Sequence, residues 1–551
     1  MNERVIEVLK RVIAAAAFVF FFALVILGRS PIGWGRVGMA AIGLTGLLTM
    51  LYLYNRKQRG GQVKPTKSRA DTVPSTNKPA SLGSNLSYLA NVRPSPRQLQ
   101  WQSTEFYAFI HFGTNTFTDR EWGDGTEPAT TFNPTDLDVN QWLTGIKDAG
   151  MRGVILTAKH HDGFCLWPTK YTDYSVKASP WRGGKGDLVA EVAKAARRLG
   201  LKFGVYLSPW DRHESSYGTG REYDDFYVGQ LTELLTGYGE VFSVWLDGAN
   251  GEGPSGKRQV YDWDRYYQVV RSLQPDAVIN VSGPDVRWCG NEAGDTRDNE
   301  WSVVPAGLRD VERIAEKSQQ IDDGEFSRKL RSDEEDLGSR AYLANAATDP
   351  VWYPAEVNTS IRPGWFYHES EDGEVRSPAE LFDIYCGSVG GNATFLLNLP
   401  PDKRGLLADA DLKSLRGLGE LIRDFYGRQA TAAGIESSAG TIPGTIGKDH
   451  EGFSWDLVSS DKDARICVSL PENTRIEAVV VGEDISRGQR IECLLVDVYD
   501  GAEWHEVASC EAVGYRRILR FDPQVAQQVR VRIPKMRLCA HVNDLRVIEA
   551  K

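Results

Sequence analysis

Residues 241–250 read VFSVWLDGAN, an apolar run that ends on an ionisable aspartate, Asp247, and a glycine. A short polar side chain followed by glycine is typical of a tight turn. Other short runs rich in β-branched and aromatic residues also end in polar residues or glycine, and they are too short for buried helices. These runs are FYAFIHFG (106–113), GVILTAKHHDG (153–163), KFGVYLSPWD (202–211) and AVINVSG (277–283). The pattern predicts a series of buried strands.

Amphipathic helical patterns separate these predicted strands. VNQWLTGIKDAG ends on Gly150, DLVAEVAKAARRLG runs from an N-cap at Asp187 to Gly200, and YDDFYVGQLTELLTGYG ends on Gly239. Strands that alternate with helices indicate a parallel sheet. Because at least five such strands precede a further strand-like segment, ATFLLNL near residue 393, the sequence favours an α/β fold with a (β/α)8-like TIM barrel over an open sheet.

Polar side chains gather at the carboxyl ends of the predicted strands, where the active site of such a barrel lies. Four of the eight histidines fall there, and so does Asp247. A single aspartate would be a turn residue, but several polar groups at one rim indicate that Asp247 takes part in chemistry. His160 and His161 are adjacent and would diverge on a regular strand, which argues against a metal-binding pair and for hydrogen bonds to hydroxyl groups. Carbohydrates are such ligands, and their hydrolysis uses two carboxyl groups.

Composition limits the class of protein. The 551 residues are 41% hydrophobic and 25% charged, which predicts two or three globular domains. A formal net charge of -10 and the lack of a basic stripe argue against a nucleic-acid partner. The 15 Trp and 21 Tyr side chains suit the flat faces of sugars as well as a large aromatic core.

The last part of the chain, residues 429–551, differs in its pattern. Short strand-like runs separated by turns, among them IECLLVDVYD, RRILRF and QVRVRI, predict an all-β sandwich.

Five segments together resemble the α-L-fucosidases of glycoside hydrolase family 29, in order from about residue 95 to 425. They are HFGTNTFTDREWGDG, TAKHHDGFCLWPTKYTDYSV, GVYLSPWDRHE, VWLDGAN and GGNATFLLNLPPDKRGLL. GVYLSPWDRHE and SIRPGWFYH (360–368) resemble the branch that acts on α-1,3/1,4-linked fucose. The resemblance implies a retaining exo-α-L-fucosidase that forms a covalent glycosyl-enzyme intermediate, with a barrel domain at 88–428, a fucosylated glycan as substrate and neither cofactor nor metal. The region 429–551 resembles the galactose-binding-like module that accompanies many such enzymes.

The same resemblance implies roles for individual residues. Asp247 matches the nucleophile, and the sugar pocket comprises His111, Glu121, Trp122, His160, His161, Tyr206 and Trp365. From the residues alone, the acidic groups of GNEAGDTRDNE predict a solvated loop. The resemblance selects Glu292 of GNEAG as the acid/base, with Glu300 and Asp298 as competitors.

Two other functions fit the residues. One is a membrane-tethered, fucose-binding lectin-like protein without turnover, since a fold alone does not establish activity. The other is a metal-dependent barrel hydrolase. Release of an aryl group from an aryl fucoside separates enzyme from lectin, and activity in excess EDTA tests the need for a metal.

The N-terminal segment, residues 1–55, contains two uncharged runs, 12–28 and 37–54. Each run is close to the length of a membrane-spanning helix, so we predict two transmembrane helices, with a cleaved signal peptide as the rival for the first. Residues 56–87 are rich in Pro, Gly, Ser and Lys and predict a flexible linker. The Lys and Arg distribution favours a hairpin with cytoplasmic ends. Glycan hydrolysis favours the opposite side, and we expect a membrane-anchored protein with an extracytoplasmic catalytic domain.

Overall fold

The computed structural model describes residues 82–318, 336–438, 453–458 and 464–551. The two predicted membrane helices lie outside these ranges. In the described ranges, no helix is both long and apolar enough to cross a membrane. The end of the predicted linker differs from expectation: Leu82–Ser84 form a 3-10 turn, and a helix begins at Leu86 behind an Asn85 N-cap.

Eight parallel strands form a nearly closed barrel, which confirms the predicted TIM-like architecture. The strands are β1 (Phe106–Ile110), β2 (Gly153–Lys159), β3 (Lys202–Leu207), β4 (Ser243–Leu246), β5 (Val278–Val281), β6 (Arg287–Trp288), β9 (Ala355–Ser360) and β10 (Thr394–Asn398). Their spatial order is β5-β4-β3-β2-β1-β10-β9-β6. The two end strands meet where the backbone N–H of Val281 donates to the carbonyl oxygen of Val286 at 3.1 Å. Two short strands, β7 (Val303–Pro305) and β8 (Pro350–Trp352), form a separate antiparallel pair.

Strands β6 and β9 are the two barrel strands that the sequence pattern did not reveal. β9 reads AEVNTS and is buried along its whole length, although four of its six residues are polar. Glu356 shows why this is tolerated, since its carboxyl group accepts from Trp245 Nε1 at 2.7 Å, from Asn280 Nδ2 at 2.8 Å and from the Tyr107 hydroxyl. Burial raises the pKa of Glu356 to about 7. Polar residues that are satisfied inside a barrel give no hydrophobic pattern in the sequence.

Helices surround the barrel, and their ends follow the predicted caps. Asp187 is the N-cap of its helix, where it accepts from the N–H of Ala190, and Gly200 ends that helix with φ +73°. The described helices are α1 (Leu86–Asn91), α2 (Pro96–Gln102), α3 (Thr114–Thr118), α4 (Val139–Asp148), α5 (Leu188–Leu199), α6 (Arg221–Gly237), α7 (Trp263–Leu273), α8 (Val311–Lys317), α9 (Arg340–Asn345), α10 (Pro378–Ser388) and α11 (Asp409–Gly427).

The C-terminal region is all-β, as predicted, and its seven described strands form one antiparallel sheet. They are β11 (Gly434–Ser437), β12 (Trp455–Val458), β13 (Arg465–Glu483), β14 (Ile491–Tyr499), β15 (Trp504–Cys510), β16 (Arg517–Met536) and β17 (Cys539–Glu549). RRILRF and QVRVRI, which predict two strands, are largely parts of β16. The sequence predicts a turn between these two runs, but the structure has one long strand with an irregular register there.

This sheet contacts the barrel at the end that is opposite to the carboxyl ends of the strands. Glu105, directly before β1, pairs with Arg516 at 2.9 Å and accepts from the Tyr515 hydroxyl at 2.7 Å. Asn392, two residues before β10, accepts from the backbone N–H of Tyr515 at 2.7 Å. The C-terminal sheet therefore supports the base of the barrel.

Candidate active site

A cavity opens at the carboxyl ends of the barrel strands. It contains eight of the nine site residues that the sequence predicts. The lining is Phe109, His111, Trp122, His160, His161, Tyr206, Trp245, Asp247, Ala249, Val281, Trp288, Glu292, Ser318, Asn358 and Trp365. A barrel rim that carries aromatic and titratable groups is the usual place for catalysis in this fold.

Asp247 directly follows β4, and both of its carboxylate oxygens accept hydrogen bonds. The Tyr206 hydroxyl donates to Oδ2 at 3.0 Å, and the backbone N–H of Ala249 donates to Oδ1 at 2.8 Å. The Nε2 atom of His161 lies 3.9 Å from Oδ2. Hydrogen bonds that are donated to a carboxylate favour its charged form. The turn after β4 thus presents an oriented carboxylate to the cavity.

His161 is neutral and carries its proton on Nδ1. Burial lowers the pKa of His161 to about 4, although Asp247 acts in the opposite direction. The Ser208 hydroxyl donates to the carbonyl oxygen of Trp210 at 2.6 Å, so Ser208 must accept from His161 Nδ1, 2.7 Å away. Because a neutral imidazole has one donor and one acceptor, Nε2 of His161 is left as an acceptor.

His111 has the same tautomer for a similar reason. Asn398 donates its amide protons to Ser360 Oγ at 3.0 Å and to the carbonyl oxygen of Trp365 at 2.7 Å, so its Oδ1 accepts from His111 Nδ1 at 2.7 Å. Burial lowers the pKa of His111 to about 3. The Nε2 atom of His111 is a second acceptor, which suits the hydroxyl groups of a sugar.

His160 lies next to His161 in the chain, and both line the same cavity. The expectation that the two rings diverge is wrong because β2 ends at Lys159, one residue earlier, and the backbone turns there. The two ring centroids are 4.1 Å apart. Burial lowers the pKa of His160, and its Nδ1 faces the Asn115 amide nitrogen at 3.5 Å.

Glu292 lies in the loop that follows β6, on the side of the cavity formed by Trp288 and Trp365. The indole Nε1 of Trp365 donates to its Oε2 at 3.0 Å. Burial, reinforced by the charge of Asp247, raises the pKa of Glu292 to about 8. Glu292 therefore carries a proton at neutral pH, and because Oε2 accepts from Trp365, Oε1 is the oxygen that holds this proton.

The two competing carboxyl groups lie elsewhere. Glu300 pairs with Arg287 at 2.5 Å and with Arg297 at 3.0 Å. Burial alone would raise the pKa of Glu300, but the two guanidinium groups outweigh it and hold the pKa below its usual value. Asp298 is exposed and does not line the cavity. Neither group is placed to protonate a bound sugar.

Glu121 is the predicted pocket residue that does not line the cavity. Its carboxylate accepts from the backbone N–H groups of Trp365 at 2.8 Å and Phe366 at 2.9 Å, and it contacts His368 Nε2 at 2.9 Å. The bond to Glu121 is the main cause that raises the pKa of His368 to about 9. Glu121 thus fixes the loop that carries Trp365, and its contact with the sugar stays a prediction.

Four substantial lining residues escaped the sequence analysis: Phe109, Trp245, Trp288 and Asn358. The first two had a signal, since each lies two residues before a predicted site residue and shares its face of the strand. Asn358 and Trp288 belong to the two unrecognised strands, and the Trp288 indole donates to Asn358 Oδ1 at 2.9 Å.

Other polar groups at strand ends are structural. Lys159 and Asp211 form a buried ion pair at 2.8 Å, and His213 Nδ1 contacts the carbonyl oxygen of Gly125 at 2.7 Å. Across the described ranges, no group of three or more His, Cys, Asp or Glu side chains has the arrangement of a metal site.

A barrel with two differently held carboxyl groups in one aromatic cavity is typical of a glycoside hydrolase. The family model of alpha-L-fucosidases matches residues 87–425, and the chain belongs to this family, glycoside hydrolase family 29. Residues 6–59 match a second family, DUF6903, of unknown function.

Named relatives and solved structures agree with this membership. The chain is 42% identical to alpha-L-fucosidase 1 of Arabidopsis thaliana over 439 residues, which cover 78% of this chain and 81% of the relative. A glycoside hydrolase 29 family member from an unknown rumen bacterium matches with a TM-score of 0.69 and 34% identity, over 84% of this chain and 78% of that one. A Ruminococcus gnavus GH29 fucosidase in complex with fucose matches with a TM-score of 0.71 and 28% identity, over 84% of this chain and 95% of that one.

Proposed function

We propose that this alpha-L-fucosidase acts by a retaining mechanism in which Asp247 is the nucleophile and Glu292 the acid/base. The observation that carries the proposal is the contrast between two carboxyl groups of one cavity. The Tyr206 hydroxyl and the Ala249 N–H each donate to an oxygen of Asp247, whereas burial keeps Glu292 protonated. A glycosidase needs this division, since one group attacks while the other donates a proton.

In the first step, an oxygen of Asp247 attacks the anomeric carbon of fucose. The bond from this carbon to the leaving oxygen breaks, and that oxygen takes the proton of Glu292. The products are a fucosyl ester of Asp247, a free alcohol and a Glu292 carboxylate. The Asp247 charge that favours protonated Glu292 is then lost, so the pKa of Glu292 falls in the intermediate.

In the second step, Glu292 acts as a base. It removes a proton from water, and the resulting oxygen attacks the anomeric carbon on the face opposite to Asp247. The ester bond breaks, Asp247 leaves as a carboxylate and fucose is released with retained configuration. Two inversions at one carbon give this stereochemical result.

The wall of the cavity opposite to Glu292 is suited to bind fucose. His111 and His161 each present an Nε2 acceptor, and Tyr206, Trp245 and their neighbours form apolar surface. The fucose complex of the Ruminococcus gnavus enzyme supports the same ligand class for this chain. Neutral acceptors bind hydroxyl groups without the cost of burying a charge.

The test of the two roles uses Glu292→Ala. Natural fucosides, whose leaving groups need a proton, should lose activity by about 10³-fold, whereas aryl fucosides with acidic phenols should keep a fast first step. Azide should then replace water and give a fucosyl azide of retained configuration. Glu300→Gln is the matched control and should show no azide effect. Equal losses on both substrates without azide rescue would assign the acid/base role to another residue.

For the linkage, we propose terminal α-1,3- and α-1,4-linked fucose. The likeness of GVYLSPWDRHE and SIRPGWFYH to that branch of the family supports it, and both segments contribute to the cavity through Tyr206 and Trp365. A screen of oligosaccharides that differ only in linkage tests it. Faster release of α-1,2-linked fucose would overturn this specificity.

For the rest of the chain, we propose a catalytic domain at 88–428 and a C-terminal module at 429–551, a division supported by the end of α11 at Gly427 and the start of β11 at Gly434. The uncharged runs 12–28 and 37–54 support membrane attachment of the N-terminal segment, with the catalytic domain on the extracytoplasmic side. Protease treatment of intact cells tests it, since cleavage in the linker from outside is the expected result.

A further inference from the structure

A second cluster of titratable side chains lies in the C-terminal sheet, and none of its members lines the fucose cavity. Cys539 and His541 are two positions apart in β17, so their side chains share one face of the strand. Asp456 lies opposite His541 on the neighbouring strand β12. His541 Nδ1 is 2.5 Å from Oδ1 of Asp456, and His541 Nε2 is 3.4 Å from the sulfur of Cys539. We call these three residues the thiol triad.

The partners of His541 fix where its proton lies. A carboxylate only accepts hydrogen bonds, so Nδ1 of His541 donates to Asp456. Burial lowers the pKa of His541, although Asp456 acts in the opposite direction, and the ring is neutral at neutral pH. Nε2 is then an acceptor, and the thiol of Cys539 donates to it. His541 is therefore placed to take the thiol proton, as a general base does when it activates a cysteine.

Arg490 supplies a second, independent observation. It is 6% exposed, and its Nη1 atom donates to the sulfur of Cys539 at 2.8 Å. Its Nε and Nη2 atoms both donate to the carbonyl oxygen of Arg487. A neutral thiol is a weak acceptor, whereas a thiolate gives a buried guanidinium group a charged partner. Arg490 is therefore placed to stabilise the charge that forms on the sulfur when His541 takes the proton.

Two other cysteines of the same sheet provide a comparison. Cys467 and Cys493 are partly exposed, as Cys539 is. Burial raises the pKa of both thiols, and among the described residues no His or Arg side chain hydrogen-bonds to either sulfur. Partial exposure is therefore common to the three cysteines, and the base and the cation distinguish Cys539.

We propose that Cys539 is a modification site that reacts with small disulfides, with His541 as its base and Arg490 as the partner of its charged sulfur. Nε2 of His541 takes the thiol proton, the sulfur attacks one sulfur of the disulfide, and the S–S bond breaks. The departing thiolate takes the proton back from His541. The products are a mixed disulfide on Cys539 and one free thiol, and the disulfide is the oxidant. Leu538 beside the site is 39% exposed, which places the site at the surface.

The experiment treats the folded full chain at neutral pH with glutathione disulfide or with dithiodipyridine, and it follows each cysteine by peptide mass spectrometry. His541→Gln removes the base and keeps a polar side chain. Asp456→Asn, at a side chain that is 53% exposed, removes the carboxylate and keeps the ring. His505→Gln is the matched control, because His505 in β15 also pairs with an aspartate, Asp500 at 3.0 Å, and has no cysteine hydrogen-bonded to it among the described residues.

We expect Cys539 to react about tenfold faster than Cys467 and Cys493 with both disulfides, because a base contacts its thiol. Each of the two variants of the thiol triad should lower the rate at Cys539 by about tenfold. The rates at Cys467 and Cys493, and kcat on an aryl fucoside, should not change, which shows that the fold is intact. His505→Gln should change none of these rates. A wild-type Cys539 that reacts no faster than the other two, or a fast rate that survives in His541→Gln, overturns the inference.

Discussion

Burial shifts the pKa values of titratable groups in two walls of the fucose cavity in opposite directions. We call His111, His160, His161, Tyr206 and Asp247 the sugar wall, and Trp288, Glu292, Asn358 and Trp365 the acid wall. In the sugar wall, burial lowers the histidine pKa values and leaves neutral imidazoles around one carboxylate that accepts hydrogen bonds. In the acid wall, burial raises the pKa of a carboxyl group.

The comparison shows that one physical cause, removal from water, gives opposite shifts according to the charge of the group. Burial disfavours every charged form, so a base loses its proton and an acid keeps its own. Asp247 accepts hydrogen bonds from the Tyr206 hydroxyl and from the backbone N–H of Ala249, which orient its carboxyl group in the cavity.

The largest expected effect comes from Asp247→Ala. Without the carboxylate, no fucosyl ester can form, and kcat should fall on the order of 10⁵-fold on natural and aryl fucosides alike. The measurement is kcat on both substrates, with fucose binding by calorimetry as the control for folding. If kcat fell on only one of the two substrate classes, Asp247 would not be the nucleophile.

Next in size is His161→Phe, which removes one neutral acceptor of the sugar wall. We expect kcat/KM to fall about 100-fold on all fucosides, because a sugar hydroxyl then loses its partner in a buried site. His213→Phe is the matched control, since His213 bonds to the carbonyl oxygen of Gly125 outside the cavity lining, and it should change kcat/KM by less than about fivefold. Similar losses of kcat/KM in the two variants would contradict a specific role of His161 as an acceptor for a sugar hydroxyl.

The pH profile of kcat/KM tests the contributions of the two walls separately in the wild-type enzyme. As pH rises through about 8, Glu292 loses its proton and kcat/KM on natural fucosides should fall about tenfold per pH unit. As pH falls through about 4, His161 gains a proton, its acceptor becomes a donor, and activity should fall again. On aryl fucosides with acidic phenols the alkaline limb should nearly disappear, while the acidic limb remains. An alkaline limb that is the same for both substrates would contradict the role of Glu292.

The smallest expected effect is that of Trp365→Phe in the acid wall. The indole bond to Glu292 lowers the pKa of that carboxyl group, so its removal should move the alkaline limb to higher pH. We expect kcat on natural fucosides at neutral pH to fall by about threefold, because the proton is held more tightly and is less well aimed. Trp122→Phe, which changes another indole of the cavity lining, should leave the alkaline limb of the pH profile unchanged.

The sequence by itself predicted the sugar wall. His111, His160, His161, Tyr206 and Asp247 all come from β1 to β4 or directly after them, and each of those strands reads as a short apolar run. A parallel barrel places all carboxyl ends at one rim, so local patterns were sufficient to bring these residues together. The N-cap at Asp187 and the all-β character of the C-terminal region were local signals of the same kind.

The family resemblance selected Glu292 and Trp365 of the acid wall, but only the tertiary structure placed Trp288 and Asn358 beside them. Asn358 lies in β9, a polar strand that is stable in the interior because Glu356 and its partners satisfy one another. Glu292, Glu300 and Asp298 look alike in sequence, and the distinction between them depends on distant partners: Trp365 for Glu292 and two arginines for Glu300. The bond from the Trp365 N–H to Glu121 is a long-range contact of the same kind. Burial and long-range hydrogen bonds set whether a carboxyl group is charged, and no local pattern encodes them.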